Sequence, residues 1–100
     1  MVYEVTKALP WEERYGLVPQ MRRAAVSVPA NIVEGLERRG IREKVRFYNV
    51  AEGSLEELKY FFVLCQDLGY VDTVDDLWEQ SETAGRLLNG LIRSTERRRG

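Results

Sequence analysis

The chain has 100 residues, 44% of them apolar and 31% charged, which is enough for one small domain with a core and is not typical of a disordered chain. Fifteen basic and sixteen acidic residues leave a net charge of −1, which excludes binding of nucleic acid or anionic lipid by a bulk positive field. A single cysteine excludes an intramolecular disulfide, and the absence of histidine excludes the usual zinc sites within one chain.

The sequence also has no sign of membrane insertion or export. No apolar run approaches the roughly 20 residues that cross a bilayer. Residues 1–10 lack the basic start and apolar middle of a signal peptide. We therefore expect a cytoplasmic protein without a membrane partner.

The first two predicted helices are separated by a loop over residues 11–18. Val2, Val5 and Leu9 mark a helix over 2–9 that ends before Pro10, because the residue before a proline avoids the helical region. A second helix is predicted over 19–39, since proline is favoured in a first turn and Pro19 would start it. Its predicted buried stripe, with spacings of three or four residues, is Met21, Ala25, Val28, Ile32 and Leu36.

The third and longest helix is predicted over 41–68, with Gly69 as a left-handed C-cap. It carries two adjacent apolar stripes. The first stripe is Ile41, Val45, Tyr48, Ala51, Leu55, Leu58, Phe62 and Cys65. The second stripe is Phe47, Val50, Phe61 and Leu64. An arc this broad faces either two helices of its own bundle or a second subunit, which makes the second stripe a candidate oligomer interface.

The fourth helix is predicted over 73–97. Thr73 and Asp76 have the spacing of a capping box, and acidic residues at the start and arginines at the end match the helix dipole. Its predicted core stripe is Val74, Leu77 or Trp78, Ser81, Ala84, Leu88, Leu91 or Ile92, and Thr95. Four helices with short loops predict one all-α domain over 1–100, an antiparallel up-and-down four-helix bundle with a shortened first helix.

Two motif blocks on consecutive helices carry a resemblance to a known family. The first block is Arg22-Arg23-Ala24, Ser27, Pro29, Asn31 and Glu34-Gly35. The second block is Phe47, Ala51, Gly53-Ser54, Glu57-Leu58 and Leu68-Gly69-Tyr70. Over about residues 3–92 the chain resembles the bacterial four-helix-bundle proteins related to reading frames in intervening sequences of 23S ribosomal RNA genes.

The resemblance implies a helical bundle that assembles into rings of five and has no assigned enzymatic activity. The fold is more distantly similar to accessory proteins of diversity-generating retroelements, which are basic rings that engage nucleic acid and a reverse transcriptase. We therefore expect a non-enzymatic, homo-oligomeric scaffold protein. The alternative is an RNA-binding accessory protein that works with RNA or with a nucleic-acid-processing protein.

The first helix departs from the family pattern, in which it usually begins well before the position of Val2. A helix over 2–9 has eight residues and spans about 12 Å, which is too short to line a whole bundle. The groove between helices two and four is then partly open, or another chain fills it, or the true start lies upstream. We expect exposed apolar surface at this groove to strengthen self-association.

The most conspicuous polar residues are Ser27, Asn31 and Glu34, which share one face of helix two beside a kink expected at Pro29. One interpretation is a ligand pocket or a polar ring interior. The other is structural, with the serine and asparagine satisfying backbone groups that the proline frees and the glutamate in an ion pair. The candidate ion-pair partners are Arg22, Arg23 and Arg38. We prefer the structural interpretation because no nucleophile with its base accompanies these residues.

No catalytic, cofactor-binding or metal-ligating set is predicted. Acidic residues such as Glu52 and Glu56 have no histidine partners of the kind that di-iron bundles use. Cys65 lies on the apolar stripe of helix three, where a cysteine usually behaves as a small hydrophobe. We therefore predict that the chain is not an enzyme.

Charge is distributed unevenly along the chain. Residues 22–46 carry seven basic and three acidic side chains, whereas residues 47–96 carry three basic and ten acidic ones. The candidate nucleic-acid contacts at the corner between helices two and three are Arg38, Arg39, Arg42, Lys44 and Arg46. Residues 97–99 add a basic tail. Repeated around a ring, this corner would form a salt-sensitive basic rim; the simpler interpretation is a solvated face whose arginines pair with glutamates.

Overall fold

Three long helices and one short helix make up residues 2–98, which are the residues that the computed structural model describes. The helices are α1 (Val2–Lys7), α2 (Leu17–Glu37), α3 (Ile41–Asp67) and α4 (Asp75–Arg97), with a 3₁₀ turn over Trp11–Glu13. No strand occurs in this range. The predicted all-α bundle with a shortened first helix is confirmed.

Helix α3 is central, because α2 packs along one of its sides and α4 along another. Both neighbours run antiparallel to it. The short α1 packs against α2, where the Nε atom of Arg22 donates a hydrogen bond to Oγ1 of Thr6 at 2.9 Å. The resulting molecule is elongated, with extents of 50 × 24 × 16 Å.

Two apolar clusters form the core, one toward each end of the bundle. The cluster at the α1 end consists of Val2, Leu9, Leu17, Met21, Ala24, Leu58, Phe61, Phe62, Cys65 and Val74. The cluster at the other end is smaller and consists of Tyr48, Ala51, Leu88 and Ile92. Because α1 contributes to the first cluster alone, the second is built from the long helices.

The buried face of α2 differs from the predicted one. Leu36 was expected in the core and is 56% exposed, whereas Ala24 and Gly35 are buried. The reason is the close approach of α2 to α3 at Gly35, where the ring of Tyr48 fills the space that a side chain would need. This contact turns Gly35 inward and leaves Leu36 at the edge.

The ends of α3 and α4 follow local sequence signals. Gly69 has a φ of +76°, and the N–H of Tyr70 donates to the carbonyl of Cys65 at 2.9 Å, which confirms the predicted left-handed C-cap. Helix α4 begins at Asp75, later than predicted. Oγ1 of Thr73 accepts the N–H of Asp75 at 3.2 Å and not that of Asp76, so the predicted capping box does not form.

Candidate functional site: polar stripe, basic corner and outer face of α2

The polar stripe joins α2 to α3. Helix α2 continues through Pro29 without a break. The hydroxyl oxygens of Ser27 and Ser54 are hydrogen-bonded at 2.7 Å, and Nδ2 of Asn31 donates to the carbonyl of Ser27 at 2.8 Å and to its hydroxyl at 3.0 Å. The serine hydroxyl therefore links two helices, and the asparagine amide donates to the Ser27 carbonyl within α2. The carbonyl that Pro29 deprives of its donor is a different one, that of Ala25, four residues before the proline. Ser54 belongs to the second motif block, but its pairing with Ser27 was not predicted, since the two residues lie 27 positions apart.

Glu34 takes one of its three predicted partners. Its Oε2 atom lies 3.0 Å from Nη2 of Arg38, one turn further along α2. Both side chains are about half exposed, so the pair contributes little to stability. Arg22, another candidate, instead hydrogen-bonds Thr6 and lies over the ring of Tyr3.

The basic corner is partly occupied by structural contacts. Nζ of Lys44 donates to the carbonyl oxygens of Gly35 and Leu36 at 3.2 and 3.0 Å, and so caps the C-terminal end of α2. The guanidinium groups of Arg38 and Arg46 each lie 5.0 Å from the ring centre of Phe47. Among the five residues predicted to contact nucleic acid, Arg39 and Arg42 are exposed. Within residues 2–98 their side chains make no hydrogen bond, ion pair or stacking contact with an aromatic ring.

A groove of about 540 Å³ lies beside this corner, between α3 and the last turns of α4. It is lined by Arg42, Glu43, Val45, Arg46, Asn49 and Glu96. The antiparallel packing of α4 brings Arg93, Arg97 and Arg98 to the same end of the bundle. Residue 99, the remaining predicted part of the basic tail, lies outside the described residues. The tertiary fold thus enlarges the basic corner, although two carboxylates also line the groove.

The predicted oligomer interface on α3 is largely used inside the molecule. Phe61 is 7% exposed and belongs to the larger core cluster, against which Leu64 packs. Phe47 is partly covered by the two arginines described above. Val50, about half exposed, is the member of the set that presents most of its side chain to solvent.

A different apolar surface was missed at the sequence level. We call it the outer face of α2, and it consists of Val26, Pro29, Ala30, Val33 and Leu36, all exposed. Val26 is 54% exposed, Val33 is 52% exposed and Leu36 is 56% exposed. A usable sequence signal was present, because residues 24–33 contain no charged side chain although α2 lies at an edge of the bundle.

An apolar gap continues from this face toward α4. It has a volume of about 160 Å³ and is lined by Val2, Ala25, Val28, Pro29, Leu55, Leu58, Gln80, Ser81 and Ala84. Leu87 of α4 is 73% exposed. This gap lies between α2 and α4 beside Val2, the first residue of α1, and a partly open groove here is one of the three arrangements expected from a shortened first helix.

Ionisable groups with shifted pKa values hold elements together. Nζ of Lys59 lies 2.6 Å from Oε1 of Glu82, which raises the pKa of the lysine and lowers the pKa of the glutamate. The hydroxyl of Tyr70 donates to Oε2 of Glu13 at 2.8 Å, and this bond raises the tyrosine pKa. Burial raises the pKa of Cys65, so its thiol stays protonated and unreactive at neutral pH.

Taken together, these features define a small antiparallel helical-bundle protein whose polar clusters serve packing and whose exposed features are a basic end and an apolar helix face. Between residues 2 and 98, none of the helices is both long and apolar enough to traverse a bilayer. The family model described as 23S rRNA-intervening sequence protein matches residues 1–90, and the chain belongs to this family. No curated protein matches the chain.

Proposed function

We propose that this chain is a non-enzymatic interaction protein that works as a homo-oligomeric scaffold and assembles through the outer face of α2. The observation that carries the proposal is the exposed apolar row of Val26, Val33 and Leu36 on a segment without charge. A helix face that stays in water normally carries charged or polar residues. A contiguous apolar face is typical of a protein–protein contact.

Burial of this face is energetically favourable. Full burial of a Val or Leu side chain is worth about 1.5–3 kcal/mol, and each of these three side chains still exposes about half of its surface. Counting both copies, several such half-buried side chains would lose contact with water. The ring of five that the family resemblance implies is one arrangement that buries them, but the proposal requires only self-association.

Light scattering coupled to size-exclusion chromatography tests this proposal. We expect the wild-type protein to elute as an oligomer, with a mass of two or more times the chain mass of 11.6 kDa. Val33→Glu should shift it toward the single-chain mass, because a charge in an apolar contact must be desolvated. Val63→Glu is the matched control, since Val63 is also an exposed valine but lies on α3.

A wild-type protein that remains single-chain at every concentration would sink the proposal. So would loss of assembly in Val63→Glu to the same extent as in Val33→Glu. Circular dichroism of both variants separates loss of assembly from loss of folding.

A second candidate function is RNA binding at the basic corner. It is favoured by the convergence of exposed Arg39 and Arg42 with the arginines of the α4 C-terminus at one end of the molecule. Such a patch contacts phosphates, and its affinity falls as salt rises. The acidic side chains of the opposite end oppose wrapping of RNA around the molecule.

Retention on immobilised RNA at 50 and 200 mM salt tests this candidate, because the Debye length falls about twofold between these two concentrations. The double variant Arg39→Glu/Arg42→Glu should lose the salt-sensitive retention. Lys7→Glu/Arg86→Glu changes the net charge equally at exposed positions elsewhere and should retain RNA. Equal retention of both double variants would reject the corner as the binding site.

A further inference from the structure

The groove beside the basic corner carries charges of both signs that do not pair with each other. Arg42 and Arg46 line it from α3, together with Glu43, and Glu96 lines it from α4. The ion pairs formed within residues 2–98 all involve other side chains. The groove therefore holds guanidinium donors and carboxylate acceptors whose hydrogen bonds a ligand can take up.

Glu96 is the groove residue that the fold explains least. It lies in the last turn of α4, where the helix dipole disfavours a negative charge. Arg93, Arg97 and Arg98 lie within three residues of it in the sequence, yet in the described part of the chain it forms no ion pair with them. Glu43, by contrast, lies in the first turn of α3, where a negative charge is favourable. A groove that contacted phosphates alone would bind them better without Glu96.

A nucleobase can use both kinds of charged group. Carboxylates only accept hydrogen bonds, and guanidinium groups only donate them. Guanine presents two adjacent donors, N1–H and the N2 amino group, on one edge and two acceptors, O6 and N7, on another. Adenine, cytosine and uracil lack two adjacent donor groups. Guanine is therefore the base that matches a carboxylate on the α4 wall and arginines on the α3 wall.

The size and lining of the groove suit a single base. Its volume of about 540 Å³ falls within the range of about 300–1,000 Å³ that is typical of small-ligand sites. Arg42, Val45, Arg46 and Asn49 share one face of α3. Val45 is half-buried against the smaller core cluster and offers an apolar contact for the face of a base. The base must be unpaired, because pairing in a duplex occupies the edge that carries N1–H and the N2 amino group.

We propose that this groove binds one unpaired guanine of a single-stranded RNA. The carboxylate of Glu96 accepts from N1–H and the N2 amino group, and Arg42 or Arg46 donates to O6 and N7. This assignment rests on RNA binding at the basic corner, the second candidate function, and names its ligand. Arg39 and the arginines at the end of α4 lie at the same end of the bundle and contact the phosphates of flanking nucleotides, which favours a strand over a free nucleotide.

Fluorescence anisotropy with short oligouridines that differ only at one central nucleotide tests the base preference. At about 50 mM salt the wild-type protein should bind the strand with a central guanosine about tenfold more tightly than the strand of uridine alone. Central adenosine or cytidine should give no such gain. Central inosine, which lacks the N2 amino group, should lose most of it.

Glu96→Gln separates recognition of the base from attraction of phosphates. The variant removes one negative charge beside several arginines, so its affinity for the all-uridine strand should not fall. Its affinity for the guanosine strand should fall about tenfold, and its affinity for the inosine strand should change little. Glu79→Gln removes the same charge at an exposed position near the other end of α4 and should keep the guanosine preference. Circular dichroism checks that both variants fold.

Each failure has a distinct meaning. Equal binding of all strands would overturn the guanine site while RNA binding at the corner stands. A guanosine preference that Glu96→Gln leaves intact would also overturn it. Guanosine monophosphate that competes as strongly as the strand would overturn RNA as the source of the guanine. A wild-type protein that binds none of the strands would overturn both the guanine site and the RNA-binding candidate.

Discussion

At Gly35, a single missing side chain decides how closely α2 approaches α3. A Cβ atom there would lie 2.8 Å from Cδ1 of Tyr48 and 3.1 Å from its Cζ, and closer still to Cε1. The tyrosine is 1% exposed, so it has no free space into which to move. The contact explains why glycine, which lowers helix propensity, occupies a buried helical position.

We therefore predict that Gly35→Ala destabilises the fold by about 1–3 kcal/mol, the usual cost of overpacking. Urea denaturation followed by circular dichroism measures the change. Gly53→Ala is the control, because nothing lies within 4 Å of its added Cβ and α3 should gain up to about 1 kcal/mol. Equal stabilisation of both variants would contradict the close contact with Tyr48.

The ion pair between Lys59 and Glu82 makes a pH-dependent contribution of known sign. Because the pKa of Glu82 is lowered in the folded state, its contribution is present at neutral pH and is lost as pH falls through that lowered pKa. The pKa of Lys59 is raised, so its contribution is lost as pH rises through the raised value, above 10.5. The pair joins α3 to α4 beside the ring of Trp78.

We predict that Glu82→Gln lowers the melting temperature slightly at neutral pH and has no effect at a pH below the lowered Glu82 pKa. Thermal melts across the acid range measure the difference from wild type. The control is Glu79→Gln, at an exposed position of the same helix, which should lower the melting temperature less at neutral pH than Glu82→Gln does. A difference that persists unchanged into acid would contradict the ion pair as its cause.

At the scale of elements, the end of α3 depends on one backbone conformation. Gly69 adopts a φ of +76°. Two hydrogen bonds that close the helix end depend on this conformation: the N–H of Gly69 donates to the carbonyl of Gln66, and the N–H of Tyr70 donates to the carbonyl of Cys65. Nothing lies within 4 Å of an added Cβ, so a substitution there acts through the backbone and not through packing.

Gly69→Ala should therefore cost about 1–2 kcal/mol, the strain of a left-handed residue that carries a Cβ. The measurement is again the free energy of unfolding in urea. Gly90→Ala, inside α4 and also facing open space, should instead stabilise the protein by up to about 1 kcal/mol. A neutral result at Gly69 would show that α3 ends equally well without this cap.

Helix α2 has one packed face and one exposed apolar face. One face packs on α3 through Met21, Ala24 and Gly35, and the other is the outer face with its half-exposed valines and leucine. Within a single bundle no other helix covers this outer face. For this reason we expect self-association through α2 and not through the second stripe of α3, where Phe61 is already buried.

At the scale of the whole molecule, self-association should appear in thermal stability. Because an oligomer forms from native chains alone, raising the protein concentration about a hundredfold should raise the melting temperature. Val33→Glu should melt at a temperature independent of concentration. An equal concentration dependence in wild type and this variant would mean that the association uses another surface.

Local signals were enough for much of the fold. The C-cap at Gly69 and the helical pattern of α3 follow from residues near each other in the sequence, and the structure has both. The Ser27–Ser54 bridge was beyond such reasoning, since its two hydroxyls belong to different helices. The outer face of α2 was missed for a related reason: an apolar periodicity predicts a stripe but does not say which neighbour covers it.

By itself the sequence determined the helix count, the approximate helix bounds and the family, because periodicity, caps and motif blocks are properties of short segments. The predicted stripes of α3 and α4 are largely the buried ones, and the tertiary structure decided which residues at the edges of the stripes are covered. Leu36 is exposed and Phe61 buried because of the helices beside them, not because of their own spacing. The gathering of arginines from α2, α3 and α4 at one end likewise depends on antiparallel packing, which sets residues distant in sequence side by side.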